Sequence, residues 1–290
     1  MCPARNAQHN VRPGGESMEQ RETTKNGEPF EVYAIKYAER EARRSDHFIG
    51  GDPHEAPMDM DYFIWALRRP GEIWVVDTGF DVKDAKARNR KLVRTVREGL
   101  GLIDIDSHTV ENVIITHLHY DHIGGHIHFP NARFHLQDRE MFYATGRHMT
   151  RPALGHAYTA DHIADLVHHV FAGRVAFHDG EAELSPGLSV HHVGGHTMGL
   201  QVVRVWTRLG WMVLASDASH YYENMQADRP YVIVWNQGEM LEAFRTMTRL
   251  SDSPDWIVPG HDPKVFDLYP AVAGQEGKVV RLDVEPKRNT

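Results

Sequence analysis

The sequence predicts an α+β protein, folded as a layered αββα sandwich in a single domain. Two observations carry that expectation. Strand-like runs arrive in clusters with helical segments interleaved later, in two halves of similar make-up, which suits stacked sheets under helices better than strict strand–helix alternation. No internal repeat, low-complexity tract or linker divides the 290 residues. At such a length one domain buries about three-quarters of its unfolded surface.

Taken in order, residues 1–29 are polar and offer almost nothing to bury, so a disordered lead-in is expected, with the folded body over 30–290. Strands are predicted at 30–37, 61–68 and 72–76, the last running into the turn Asp77-Thr78-Gly79. Residues 82–99 place Val82, Ala85, Leu92, Val93 and Val96 among basic neighbours and read as one amphipathic helix closed near Gly99. A strand at 111–115 leads into a histidine-rich loop. Further strands are expected at 132–136, 174–178, 188–193, 200–207, 211–215 and 255–258, and helices at 137–147, 159–171 and 239–250.

Composition narrows the function. The balance of 32 basic to 40 acidic residues gives a net charge of -8 without any Lys/Arg-rich run, which argues against nucleic acid as a partner. Cys2 is the single cysteine, so neither an internal disulfide nor a thiolate site is available. Apolar runs such as 62–67 fall far short of the roughly 18 residues a membrane span needs. Residues 1–11 show no apolar secretory core, so a cytoplasmic protein is expected. The 21 histidines are the value out of line.

The strongest local signal is His117-Leu118-His119-Tyr120-Asp121-His122, directly after a predicted strand. His117 and His119, two apart, point the same way from an extended segment. Asp121 and His122 follow where the chain turns, and Gly124-Gly125 are expected to give it that freedom. One loop can thus aim two imidazoles at one cation, and a carboxylate and an imidazole at another. Nitrogen and oxygen donors without thiolate suit zinc, or manganese, iron and cobalt. Four ligands cannot complete two sites. His196, Asp217 and His261, each just past a predicted strand end beside small or turn residues, are the candidates to do so. A carboxylate can bridge two cations, which is the role Asp217 fits.

In these residues the chain resembles the metallo-β-lactamase superfamily, and within it the N-acyl-homoserine lactonases, the quorum-quenching lactonases. Beside the HxHxDH loop, the supporting stretches are Val76-Asp77-Thr78-Gly79, Gly50-Gly51-Asp52-Pro53, Ser216-Asp217-Ala218-Ser219 and Gly260-His261-Asp262-Pro263. The resemblance implies that superfamily's αββα sandwich and two divalent metal ions per chain. Metal one would be held by His117, His119 and His196, metal two by Asp121, His122 and His261, with Asp217 bridging and Asp77 orienting the ligands. It implies a hydrolase that opens a lactone by attack of a metal-bridging hydroxide on the ester carbonyl, with Asp121 able to shuttle the proton. It also implies a segment, here 38–60, that covers the site and helps form a homodimer, and an apolar channel for the acyl chain.

Other readings are weaker. A cysteine-ligated β-lactamase lacks its ligand here, and a β-lactamase type without the bridging carboxylate is at odds with Asp217. A thioesterase with a helical domain after its last histidine has too little room in the 29 residues beyond His261. An ester, thioester or phosphodiester hydrolase of the same fold stays open. A non-catalytic metal binder needs no ordered two-site set. The chain departs from its relatives three residues after Asp217, where many of them carry a substrate-contacting tyrosine. Here the position is His220, followed by Tyr221 and Tyr222. His220 is expected to take the donor role, with the two tyrosines as candidate substrate contacts.

Overall fold

The computed structural model describes residues 26–287. Two mixed sheets carry the fold. The strands are β1 (Glu31–Arg40), β2 (Met60–Arg69), β3 (Glu72–Val76), β4 (Lys91–Leu92), β5 (Asn112–Ile114), β6 (Arg133–Gln137), β7 (Val175–His178), β8 (Glu181–Ser185), β9 (Leu188–His192), β10 (Gln201–Thr207), β11 (Gly210–Ser216), β12 (Ile257–Pro259) and β13 (Val279–Arg281). The eight-stranded sheet runs β13-β1-β2-β3-β5-β6-β7, with β4 on β1, and the five-stranded sheet runs β12-β11-β10-β9-β8.

Period-two alternation sorts each strand between layers. In β1, Val32 and Ala34 enter a core shared with Val203, Val205, Met212 and Leu214 of the second sheet, sealing the two sheets together. Tyr33, Ile35 and Tyr37 of the same strand face outward into a second core with Leu100, Ile163 and Leu166 from the helices. On the far side, Val202, Val213 and Ala215 pack against Met240, Ala243, Phe244 and Met247 of the helix Gln237–Leu250. The result is the expected αββα order. Each such fully buried aliphatic or aromatic side chain contributes about 1.5–3 kcal/mol.

The expected helix over 82–99 is instead two short ones. Val82–Ala87 is capped by the Asp81 carboxylate, and Val96–Gly101 by Thr95 with Glu98 in a capping box. Asn89 between them is left-handed at φ 52°, which frees 91–92 to pair with β1. Local capping chemistry thus overrides an apolar period. Of the lead-in, 1–25 lie outside the described residues, whereas the end of the stretch is engaged: Arg69 Nη1 donates to the Glu28 carbonyl at 3.0 Å. The segment between β1 and β2 orders against 222–231. Arg44 and Arg229 both reach Asp52 and Glu223, and Phe48 is buried beside the two guanidiniums. No helix among the described residues is long and apolar enough to cross a membrane.

Candidate metal centre

Five strand ends converge on one edge of the sandwich. β3 delivers Asp77, β5 delivers the segment from Thr116 to His122, β9 delivers His196, β11 delivers Asp217 and β12 delivers His261. Because β3 and β5 are parallel, as are β11 and β12, their C-terminal ends share a side. Close approach dictates the glycines here. Gly124 and Gly125 have ordinary negative φ, so they do not serve the turn as expected. A Cβ on Gly125 would instead fall 2.0 Å from the Thr78 carbonyl oxygen, and one on Gly260 would meet Ser216 at 2.8 Å. Only glycine lets these loops close.

The seven expected residues meet in two groups. His117, His119, His196 and Asp217 offer donor atoms within 4.8 Å of one another, as do Asp121, His122 and His261. Asp217 stands between them: its Oδ2 is 3.1 Å from His196 Nε2, and its Oδ1 is 3.0 Å from His261 Nε2. Asp77 lies beneath the site. Its carboxylate accepts from His122 Nδ1 at 2.8 Å and from the Thr116 backbone N–H at 2.8 Å.

Whether cations fit is decided by the far side of each ring. His196 Nδ1 donates to the Ile233 carbonyl at 2.7 Å, and His261 Nδ1 to the Asp61 carbonyl at 2.9 Å. A carbonyl only accepts, so these nitrogens carry a proton and Nε2 is the atom turned into the site. With His122 tied to Asp77 in the same way, three Nε2 atoms and the carboxylates aim into one buried space. His122 Nε2 and Asp217 Oδ1 are buried there without a hydrogen-bond partner. Burial opposes charge on His122 and His261, yet the facing carboxylates win and raise both pKa values. Divalent cations would replace those protons among the same nitrogen and oxygen donors, so the residues fit divalent metal ions.

Electrostatics follow. Burial and the neighbouring imidazoles hold His117 and His119 well below the ordinary histidine range, so both are neutral donors. Burial opposes ionisation of Asp217, yet the surrounding histidines win and hold its carboxyl well below the usual carboxylate range.

His220 joins the site, with Nε2 3.0 Å from Asp217 Oδ2 and its ring stacked 3.4 Å from that of Tyr231. Burial pushes its pKa down to about 3. Tyr221 and Tyr222 do not line the cavity, which corrects the expectation that they contact substrate. Tyr221 turns its hydroxyl to the Asp59 carbonyl and to His47, and Tyr222 packs in the inter-sheet core. Each follows from the one-residue steps of a chain turning into the helix Tyr222–Gln226.

The cavity over the cluster holds about 150 Å³, with Tyr62, Tyr120, His156, Tyr231 and the guanidinium residues Arg40, Arg88 and Arg90 in its walls. An apolar acyl channel was expected; the small cavity mixes the apolar Met60, Ala157 and Ile233 with those guanidiniums and the histidines. Sequence reading also passes over Glu140. Fully buried, it accepts from the Leu118 N–H, the Tyr158 hydroxyl, the Thr197 hydroxyl and the Gly199 N–H at 2.7–3.0 Å. Glu140 therefore clamps the loop of His117 and His119 to the loop of His196.

A model of the metallo-beta-lactamase superfamily matches residues 60–261. An N-acyl homoserine lactonase from a Bacillus species is 29% identical over 120 residues, 41% of this chain and 42% of that protein, so the matched stretch spans less than half the relative's length. The solved structure of a quorum-quenching N-acyl homoserine lactone lactonase superposes with a TM-score of 0.68 at 20% identity, covering 82% of this chain and 94% of that one. A probable metal-dependent hydrolase from Staphylococcus aureus gives a TM-score of 0.69 at 14% identity, over 91% of this chain and 98% of its own. These likenesses to solved structures concern the fold.

Proposed function

The chain belongs to the metallo-beta-lactamase superfamily, and from that premise we propose that it is a lactone hydrolase using two divalent metal ions, zinc most simply, with N-acyl homoserine lactones as the first class to test. One observation carries the reading: Asp217 faces a three-histidine group with one oxygen and the Asp121–His122–His261 group with the other. The first group would hold one ion and the second the other, with Asp217 shared. When bound, such ions activate water at neutral pH and polarise an ester carbonyl.

The chain's own residues do the rest. Asp77, Ile233 and Asp61 fix the ring tautomers of His122, His196 and His261, so that the ligand geometry is set before substrate arrives. His220, neutral and held flat on Tyr231, has one N–H, which faces Asp217 at 3.0 Å; with Asp217 engaged by the ions, that N–H would serve oxygen charge developing on the ester. Asp121, at the cavity wall, is placed to carry a proton from the attacking water to the departing ring oxygen. No nucleophilic serine or cysteine is required, in keeping with direct attack by water. The name of the Bacillus relative supports the lactone as the substrate class.

The test is a pH-stat assay of the purified protein, with metal content measured, against homoserine lactones of graded chain length, a β-lactam and a phosphodiester. Metal-dependent acid release from the lactones alone is expected. Turnover of a control and none of the lactones would overturn the assignment.

A further inference from the structure

Three guanidinium residues in the wall of a metal-ligand cavity have no part in the function proposed above. Arg40 ends β1, and Arg88 and Arg90 flank the left-handed Asn89 that follows the first short helix. Arg88 is spent on structure: it donates to the carbonyls of His156 and Tyr158, and its guanidinium lies 4.0 Å from the centre of the Tyr120 ring. The other two are not. Arg90 uses Nε on the Tyr120 hydroxyl and Nη1 on the Arg88 carbonyl, and has no ion-pair partner among the described residues. Arg40 has one, Asp46, at 3.5 Å.

Neither Asp121 nor Asp217 lies within ion-pair distance of these guanidiniums. Asp217 is enclosed by histidines, and Asp121 directs Oδ2 to His122 and His261. Arg40 and Arg90 stand where the 150 Å³ cavity meets an open cleft of about 920 Å³, since both line each. Beside Lys36 and Lys91 that cleft carries five carboxylates, of which Glu39 and Asp61 are paired with the lysines, and Phe266 is its largest apolar side chain. Half-buried guanidiniums with free donors beside a reaction site are a fork for a carboxylate.

We propose that Arg40 and Arg90 form an anion subsite, and that the substrate is a compact lactone bearing a carboxylate on or beside its ring. The inference rests on the lactonase reading and narrows it from neutral acyl lactones to acidic ones. Ring opening consumes one water and releases one proton, so an acidic lactone leaves as a dicarboxylate. Both ends of that product then face positive charge.

The experiment uses the metal-loaded protein and two substrates sharing one five-membered ring, with and without a carboxylate, read by pH-stat. Glutarate binding by calorimetry supplies a readout independent of turnover. The acidic lactone should show a kcat/KM at least tenfold above its neutral counterpart. In R40Q and R90Q the loss with the acidic substrate, carried in KM, should exceed the loss with the neutral one at least tenfold, and glutarate affinity should fall by a similar factor. R90K, which keeps the charge and loses the fork, should lie between, and the exposed, remote R245Q should match the parent. Equal or better turnover of the neutral ring, equal losses on both substrates, or unchanged glutarate affinity in R40Q and R90Q would overturn the subsite. If neither lactone is opened, the lactonase reading fails, and glutarate binding still decides the subsite.

Discussion

The Thr116 hydroxyl lies 2.8 Å from the Ser216 hydroxyl, tying the loop that carries His117 to the strand end that carries Asp217. The contact crosses from the eight-stranded sheet to the five-stranded one, at the point where the two ligand groups meet. Ser216 makes it from a left-handed backbone, φ 46°, against the closely approaching Gly260. Position and strain therefore come together at the residue before the shared carboxylate.

Two substitutions separate them. Ser216→Ala removes the hydrogen bond and keeps the strain, and should cost about 1 kcal/mol. Ser216→Gly removes the same bond while relieving a left-handed penalty of about 1 kcal/mol, so it should unfold close to the parent. Urea titrations give the order; a glycine variant weaker than the alanine one would refute it.

Asp217→Asn tests the sharing of one carboxylate by two groups. The amide keeps the size and loses the charge that faces both His196 and His261. Metal content should drop by at least one ion per chain, and turnover by 100-fold or more. Elemental analysis beside kinetics reads both, and a fully loaded, active variant would show that the two groups act separately.

Glu140→Gln probes the clamp between the loops. Its four donors leave no place for an amide NH2, which must point at N–H or O–H groups on one side. An unsatisfied buried pair of this kind costs about 1–3 kcal/mol. Stability should fall by that amount, and kcat should fall more than KM rises, because His119 and His196 lose their common support. Thermal unfolding and full kinetic curves check this. Parent-like kcat at reduced stability would make Glu140 a fold residue alone.

The candidate ligands were legible because His117, His119, Asp121 and His122 form one motif after a strand, and His196, Asp217 and His261 each lie just past a strand end beside glycine or serine. His196, Asp217 and His261 could be picked among 21 histidines and many acids by that context. Glu140, Tyr231, Arg88 and Arg90 carry no such mark. Glu140 sits inside an ordinary helical turn, and its four donors come from three distant segments that only the folded chain brings together. The break in the expected helix at 82–99 was written locally, in Asp81, Asn89 and the Thr95–Glu98 box, but a sustained apolar period concealed it. The small cavity was beyond sequence reading because its walls come from stretches scattered from Arg40 to His261.

Acid should weaken the fold through histidines away from the metal groups. His135 is buried between Trp74 and a parallel His178 ring, and burial drops its pKa to about 4. The unfolded chain binds the proton at an ordinary pKa near 6.5. The folded state therefore binds fewer protons between these values, and stability falls as pH drops from about 6.5 to 4, by about 3 kcal/mol at most for this residue. His135→Phe keeps the stacked ring and removes the titration. Its urea midpoint should change less between pH 7 and 4 than the parent's; an identical slope would remove His135 from the account.

His220 is the residue proposed as the donor to the ester oxygen, and its role can be decided by comparison within one turn. The ring lines the cavity with Nε2 on the Asp217 carboxylate and Nδ1 buried without a partner, held by the Tyr231 stack. Tyr221 and Tyr222 hold their hydroxyls outside that cavity. His220→Phe preserves the stacked ring and deletes the donor, and should lower kcat by ~10²–10³ at unchanged metal content, the usual effect of losing one oxyanion donor. Tyr221→Phe and Tyr222→Phe should stay within a few-fold of the parent. A His220→Phe enzyme within about threefold would defeat the donor role, that being under 1 kcal/mol of transition-state binding. Loss of metal in the same variant would give a different answer, since Asp217, His220 and His261 also bring donor atoms within 4.8 Å of one another. His220 would then be a ligand, and the oxygen that leaves the ester would need another partner.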